Sequence, residues 1–286
     1  AVFICRLTRY NQLNHLIQLR QQSRQNTTHF SHYKTQQPSP SAPSELIPNK
    51  VSATQYQSLM DCPYQYFAKY VLSLREQDSH DDFEASDYGQ LVHQSLQEFH
   101  FHKKNKASTS FTSDNRTLLI TQLTDVSSRL FMHASFPPTV KEGWLQRWLS
   151  NVPAYIDWAI NRSTEWKALR GEAELEIKLS SDITLYGKID RIDSDTTHYA
   201  VIDYKSGSTA PSRKKVLNGE TVQLPFYALL DKRITQAEYL ALGTQGEAKS
   251  SALVKEADLE QLKQDHLPRI ESLIGQLRNQ ARLPAN

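Results

Sequence analysis

The sequence holds 286 residues, 38% of them hydrophobic and 22% charged, with a mean hydropathy of -0.59, which describes one large globular domain or two small ones with enough apolar residues for a core. Its 33 Lys and Arg against 31 Asp and Glu leave a net charge of +2, so bulk charge announces no nucleic-acid partner and any such claim must come from a site. Two cysteines, Cys5 and Cys62, exclude a disulfide framework, and no run approaches the ~18 apolar residues of a membrane span, so the expected compartment is the reducing cytoplasm.

The chain starts without Met inside an apolar run, which reads as a fragment of something longer. Residues 1–34 carry five basic and no acidic side chains, with Leu13, Leu16, Ile17 and Leu19 suggesting one short helix. From Gln25 to Lys50 the composition turns polar around Pro38, Pro40, Pro43 and Pro48, the pattern of an extended linker. Residues 1–50 are therefore expected to be the tail of an upstream region, and 51–286 one domain with a helical insertion around 100–165. Ser52-Ala-Thr-Gln55 fits a capping box at the start of a helix running toward Cys62. Apolar residues at helical spacing follow at Tyr64–Leu72 and at Leu91, Val92, Leu96 and Phe99. Trp144, Trp148, Tyr155, Trp158 and Ile160 recur across Pro153 as a stripe expected to pack inward.

The strand signal lies between Ala173 and Gly207, in three alternating segments separated by turn residues, and predicts an antiparallel meander. Helical pattern returns at Val222–Leu230 and Leu259–Leu277. Helices, sheet, helices in that order mean an α/β or α+β fold, and the expectation taken is α/β with a central mixed sheet flanked by helices.

Four polar clusters interrupt this apolar pattern. They are His93 in Gly89-Gln-Leu-Val-His, Asp190 in Gly187-Lys-Ile-Asp, Asp203 and Lys205 in Val201-Ile-Asp-Tyr-Lys, and Gln223 with Tyr227 in Gln-Leu-Pro-Phe-Tyr. Side chains alternate along a strand, so Asp203 and Lys205 share one face while Ile202 and Tyr204 share the other. A hairpin across Asp193–Thr197 brings Asp190 beside Asp203, and two neighbouring carboxylates repel unless a cation lies between them. Hard divalent Mg or Mn suits such oxygen ligands, and a lysine beside them would neutralise charge on a phosphodiester under attack. Singly these motifs are commonplace: Asp-x-Lys is ordinarily a surface pair, and a histidine on an apolar helix face is ordinarily a satisfied core residue. Their joint order carries the reading.

In that order the chain resembles the PD-(D/E)xK nuclease superfamily, in the branch of the RecB and AddB nuclease domains. The resemblance runs from Ser52 to about Leu240, with Cys62-Pro-Tyr-Gln-Tyr-Phe similar to the branch's opening helix and Tyr88-Gly-Gln-Leu-Val-His to its histidine motif. It implies a restriction-endonuclease-like core. His93, Asp190, Asp203 and the backbone carbonyl of Tyr204 would be metal ligands, Lys205 the catalytic lysine, and Gln223 and Tyr227 its accessory pair. The activity implied is a Mg- or Mn-dependent DNA exonuclease of repair and recombination, working with a helicase subunit or an upstream helicase-like region. The alternative is an inactive scaffold of such a complex. Iron–sulfur members pair a cysteine at the Cys62 position with three near the C-terminus; no cysteine follows Cys62, so a cluster would need cysteines outside this segment. None of the nine glycines builds a Gly-x4-Gly-Lys-Ser/Thr phosphate loop, so a motor would also lie elsewhere.

Overall fold

A computed structural model describes residues 38–74, 85–101, 110–207, 210–243 and 246–285. The chain divides into two compact units at Pro38, and the second, Ser39–Asn286, holds every element below. The basic helix expected within residues 1–34 and Cys5 lie outside the described residues.

After a 3-10 turn at Ser44–Leu46 come β1 (Lys50–Val51), α1 (Ala53–Asp61) and α2 (Pro63–Tyr66), the last running into a π-helical turn at Phe67–Val71. Four helices follow: α3 (Ala85–Phe101), α4 (Arg116–His133), α5 (Pro138–Leu149) and α6 (Val152–Arg162). Then come β2 (Lys167–Lys178), β3 (Thr184–Ser194), β4 (Tyr199–Lys205), α7 (Arg213–Leu217), α8 (Gln223–Leu229), β5 (Ile234–Leu242), β6 (Ala248–Lys255) and α9 (Glu256–Arg278).

The capping box at Ser52 is present in full: its Oγ accepts from the Gln55 amide at 3.2 Å, and its own amide donates to Gln55 Oε1 at 2.7 Å. The expected linker differs from the observed structure at its C-terminal end. Ala42 and Ile47 are buried in the core, and the Leu283 amide donates to Pro40 O at 2.7 Å, so residues from Ser39 onward belong to the folded unit.

Six strands form one mixed sheet in the order β1-β3-β4-β5-β6, with β2 also paired to β3. The β2–β3–β4 meander is antiparallel as the alternation predicts; β1 joins β3 in parallel and β4 joins β5 in parallel through the helical crossover of α7 and α8. Strands β5 and β6 escape the sequence reading because Thr235, Gln236 and Glu238 interrupt the apolar run of β5, and Lys249, Ser250 and Ser251 that of β6. Since β2 occupies one edge of β3 along its whole length, β1 and β4 share the other edge. β1 meets it at Thr184–Leu185 and β4 at Arg191–Ser194. Between them Tyr186–Asp190 has no strand partner on that edge, and this gap is where the polar motifs gather.

Two cores flank the sheet. Ile189, Val201, Ala237 and Tyr239 pack with Tyr56 of α1, Phe226 of α8 and Ile270 of α9, while Ile202, Tyr204, Leu240 and Leu242 pack with α3 to α6, including fully buried Trp148 and Tyr155. The aromatic stripe is packing, as expected, and Trp148 Nε1 donates to the buried Ser127 hydroxyl at 2.8 Å.

One contact between α1 and α9 is titratable. The Tyr56 hydroxyl lies 2.8 Å from His266 Nδ1, and burial, assisted by the nearby Arg269 charge, pushes the His266 imidazole down to about 4. The folded state thus takes up fewer protons than the unfolded chain between pH 6.5 and 4. Its contribution is complete above pH 6.5 and is lost as pH falls toward 4. The loss is on the order of 3 kcal/mol. In urea titrations His266→Asn should lose less stability than the parent over that window; parallel curves would show that His266 does not titrate there.

Candidate active site

The gap in the β3 edge forces side chains to do what a ladder would otherwise do. Pairing between β3 and β4 stops after the Arg191–Ile202 rung, so the Tyr204 amide finds no backbone acceptor on β3 and donates instead to Asp190 Oδ2 at 2.9 Å. The Tyr204 carbonyl lies 3.1 Å from His93 Nε2 on α3, and His93 Nδ1 faces Asp190 Oδ1 at 3.3 Å. Both imidazole nitrogens therefore face acceptors, an arrangement satisfied only when each carries a proton. Burial opposes that charge, but the Asp190 hydrogen bond and the charges of Asp190 and Asp203 outweigh it, and the His93 pKa is raised. The Tyr204 ring meets the His93 ring edge-on at 5.7 Å.

One residue on either side of Tyr204, Asp203 and Lys205 face α8, as strand alternation predicts. Lys205 Nζ lies 2.5 Å from Asp203 Oδ2 and donates to Gln223 Oε1 at 3.0 Å. Gln223 Nε2 donates to Asp203 Oδ1 at 2.7 Å and lies 2.9 Å from the Tyr227 hydroxyl, which in turn donates to Lys188 O at 3.1 Å. Tyr227 thus fills the vacant edge of β3. Gln223 and Tyr227 reach the same place because i and i+4 share a helix face. Burial, then the charge of Asp203, raises the Tyr227 pKa and keeps the hydroxyl protonated as a donor.

Two glycines of the motifs are explained by close approach. A Cβ at Gly187 would stand 3.0 Å from the Tyr227 ring, and one at Gly89 would stand 2.9 Å from Ser206 Oγ, just beyond the end of β4.

The structure thus brings together His93, Asp190, the Tyr204 carbonyl, Asp203, Lys205, Gln223 and Tyr227. Cys62 lies elsewhere, between α1 and α2, two residues before the Tyr64 amide that donates to Pro284 O at 3.1 Å. Arg213 is turned away from the site: it pairs with Asp258 on α9 and donates to Leu253 O. Tyr239 was invisible from sequence because β5 was; its ring lies 4.9 Å from Lys205 Nζ.

The donor set of two carboxylates, an imidazole and a carbonyl suits a hard divalent cation. Electrostatics agree. Burial and the charge of Asp190 push the Asp203 carboxyl up to about 6 even against Lys205, so the cluster is short of positive charge. The side chains are not drawn up around an ion, however. Asp190 turns to His93 and Asp203 to Gln223, and among the described residues no group of three or more His, Cys, Asp or Glu is arranged to hold a metal.

The family model described as the PD-(D/E)XK nuclease superfamily matches residues 50–286. An uncharacterized protein of Rickettsia felis is 27% identical over 195 residues, 66% of this chain and 22% of that protein. An ATP-dependent helicase/deoxyribonuclease subunit of Carboxydothermus hydrogenoformans is 27% identical over 210 residues, 65% of this chain and 19% of that protein. The chain spans about one fifth of the length of these relatives. A crystal structure from Eubacterium rectale that carries an exonuclease designation is similar at a TM-score of 0.47 and 10% identity, covering 89% of this chain and 88% of that one.

Asp203 carries a stability prediction. Its folded pKa lies above the unfolded value of about 3.8, so its ionised form costs stability that is absent below pH 3.8 and present in full above pH 6. Without divalent ions, Asp203→Asn should be more stable than the parent at pH 8 by roughly 1–3 kcal/mol, and the difference should vanish near pH 4. Denaturant titrations at the two pH values measure it. An equal or lower stability at pH 8 would mean that Lys205 compensates the buried carboxylate in full.

Proposed function

The chain belongs to the PD-(D/E)XK nuclease superfamily, and from that membership and the site geometry we propose that it is a divalent-metal-dependent DNA nuclease domain, an exonuclease that works with a helicase. The observation that carries the proposal is the pair of neighbouring carboxylates, Asp190 and Asp203, with Lys205 bonded to one of them and to Gln223. Buried carboxylates of raised proton affinity that lie beside a lysine gather where chemistry is done.

In this reading Asp190, Asp203, His93 and the Tyr204 carbonyl would hold Mg or Mn. When bound, the ion supplies Lewis-acid polarisation of the phosphodiester and lowers the pKa of a water molecule. Lys205 places its ammonium where negative charge grows on the phosphate. Gln223 fixes both partners, with its carbonyl on the ammonium and its amide on Asp203, and Tyr227 anchors Gln223 to β3. An iron–sulfur cluster enters only if cysteines outside this segment join Cys62.

The helicase partner is inferred from the relatives named as helicase/deoxyribonuclease subunits, and recombination and repair in the cytoplasm follow from it. Among the described residues no helix is long and apolar enough to cross a membrane. The placement of His93 between Asp190 and Tyr204 O favours a second reading, a scaffold in which hydrogen bonds have taken over the cluster.

Incubation with linear and circular DNA, single- and double-stranded, in Mg or Mn separates the two. The nuclease reading expects cleavage that Lys205→Ala lowers by about 100-fold or more. Equal cleavage by both proteins would indicate a contaminant. No cleavage by a folded parent protein, with or without a helicase partner, would favour the scaffold.

A further inference from the structure

Lys205 and Gln223 also form one wall of a second feature, a cavity of about 370 Å³ between β5, α1 and the loop that precedes α8, lined by both apolar and polar groups. Resting on the nuclease reading, we infer that this cavity is a nucleoside subsite, holding the base and sugar next to the phosphate at Lys205 and contacting the base edge through Asp61 and Glu220.

Its size comes first. The volume falls within the range of small-molecule sites and accommodates one nucleoside. Its lining combines apolar groups with hydrogen-bonding ones. The Tyr239 ring is buried behind the Lys205 ammonium and only borders the cavity, Ala53 and Pro211 give apolar sides, and Thr54, Gln57 and Asp61 follow one another along a single face of α1. That face extends two turns, about 11 Å, the length of a base with its sugar.

The acidic wall is held in place before any ligand arrives. Gln57 Nε2 donates to Asp61 Oδ1 at 2.9 Å and to Glu220 O at 3.1 Å, and its Oε1 accepts from the Val222 amide at 2.9 Å. A single carboxamide thus ties the end of α1 to the loop bearing Glu220, which positions the Asp61 carboxylate and the Glu220 backbone before a ligand arrives.

The charges then select the ligand. Lys205 draws a phosphate to the edge of the cavity, but a second phosphate inside it would meet the carboxylates of Asp61 and Glu220. A neutral base fits, and one with an exocyclic amine fits best, because a carboxylate accepts from cytosine N4 or adenine N6. Thymine offers a carbonyl oxygen and a methyl group at the corresponding edge. The cavity should therefore favour amino-bearing nucleotides over thymidine nucleotides.

Titration calorimetry of the full chain with deoxycytidine and thymidine 5′-monophosphates tests this without any cleavage step. The subsite predicts that the cytidine nucleotide binds about 5-fold or more tightly than the thymidine one, and that Asp61→Asn erases the difference. Thr54→Trp, a change at an exposed helix position, should weaken both nucleotides about 10-fold while leaving the circular dichroism spectrum and Tm unaltered. Equal affinities in the parent protein, a preference that survives Asp61→Asn, or binding indifferent to Thr54→Trp would each overturn the inference. DNA cleavage measured on the same samples keeps the two readings apart. Discrimination without cleavage would overturn the nuclease reading and retain a nucleotide site, whereas cleavage without discrimination would overturn the subsite alone.

Discussion

The site rests on an interrupted ladder. A strand edge must satisfy its amides and carbonyls, and β3 has two partners on one edge that leave Tyr186–Asp190 open between them. Side chains close the opening: Asp190 receives the Tyr204 amide, His93 meets the Tyr204 carbonyl, and the Tyr227 hydroxyl bonds to Lys188 O. Each of these contacts gives a backbone group its partner and fixes a polar side chain at the same time. The local geometry of the cluster is thus a consequence of sheet topology, and a continuous β3–β4 ladder would leave Asp190 no amide to bind.

A second buried charge cluster lies on the α6 side of the sheet and shows what a purely structural solution looks like. Arg162 bonds Asp193 Oδ2 at 2.5 Å and Glu238 Oε2 at 3.1 Å, and Arg191 bonds Asp193 Oδ1 at 2.6 Å. Two guanidiniums face two carboxylates, so formal charge is balanced and each ion gains hydrogen bonds in return for its lost hydration. The Asp190–Asp203 cluster reaches that balance only when His93 is protonated: with His93 neutral, Lys205 alone faces two carboxylates, and burial, then the charge of Asp190, pushes the Asp203 carboxyl up to about 6. The two clusters also touch. Tyr204 OH lies 3.2 Å from Tyr155 OH, which Arg191 also contacts, so the rigid network behind the sheet holds the residue whose backbone organises the front.

How much of this was legible in the sequence follows from where each signal resides. The capping box at Ser52, the β2–β4 meander and the α8 and α9 helices were readable because capping chemistry and periodicity are local. So was the separation of Asp203 and Lys205 from Ile202 and Tyr204, since it needs only the pleat of a strand. Strands β5 and β6 were not, because polar residues such as Gln236 and Glu238 in β5 and Ser250 and Ser251 in β6 break both the alternation and the apolar run, and with β5 went Tyr239. The segment from Ser39 to Lys50 looked like linker because its prolines and serines dominate the composition. Ala42 and Ile47, which anchor it, are single apolar residues whose partners lie far along the chain. That His93 would face Asp190 and Tyr204 rather than stand apart as one member of a converging ligand set depends on the gap in β3, a pairing that no window of sequence contains.

Delivery of a substrate to such a site poses a separate physical problem. Cleavage of a polyanion is ordinarily helped by a field that concentrates it, yet this chain carries a net charge of only +2. The strand next to Asp190 is no help: β2 presents Glu172, Glu174 and Glu176 in a row, with Glu172 paired to Lys188 and Glu176 to Lys50. Of the three basic residues on the short α7, which follows β4, Arg213 is committed to Asp258, leaving Lys214 and Lys215. A nuclease with so weak an attractive field and a local acidic strip would compete poorly for DNA in free solution at physiological salt. On the proposed reading, the substrate would have to be held at the site by local contacts rather than gathered by this chain's long-range field.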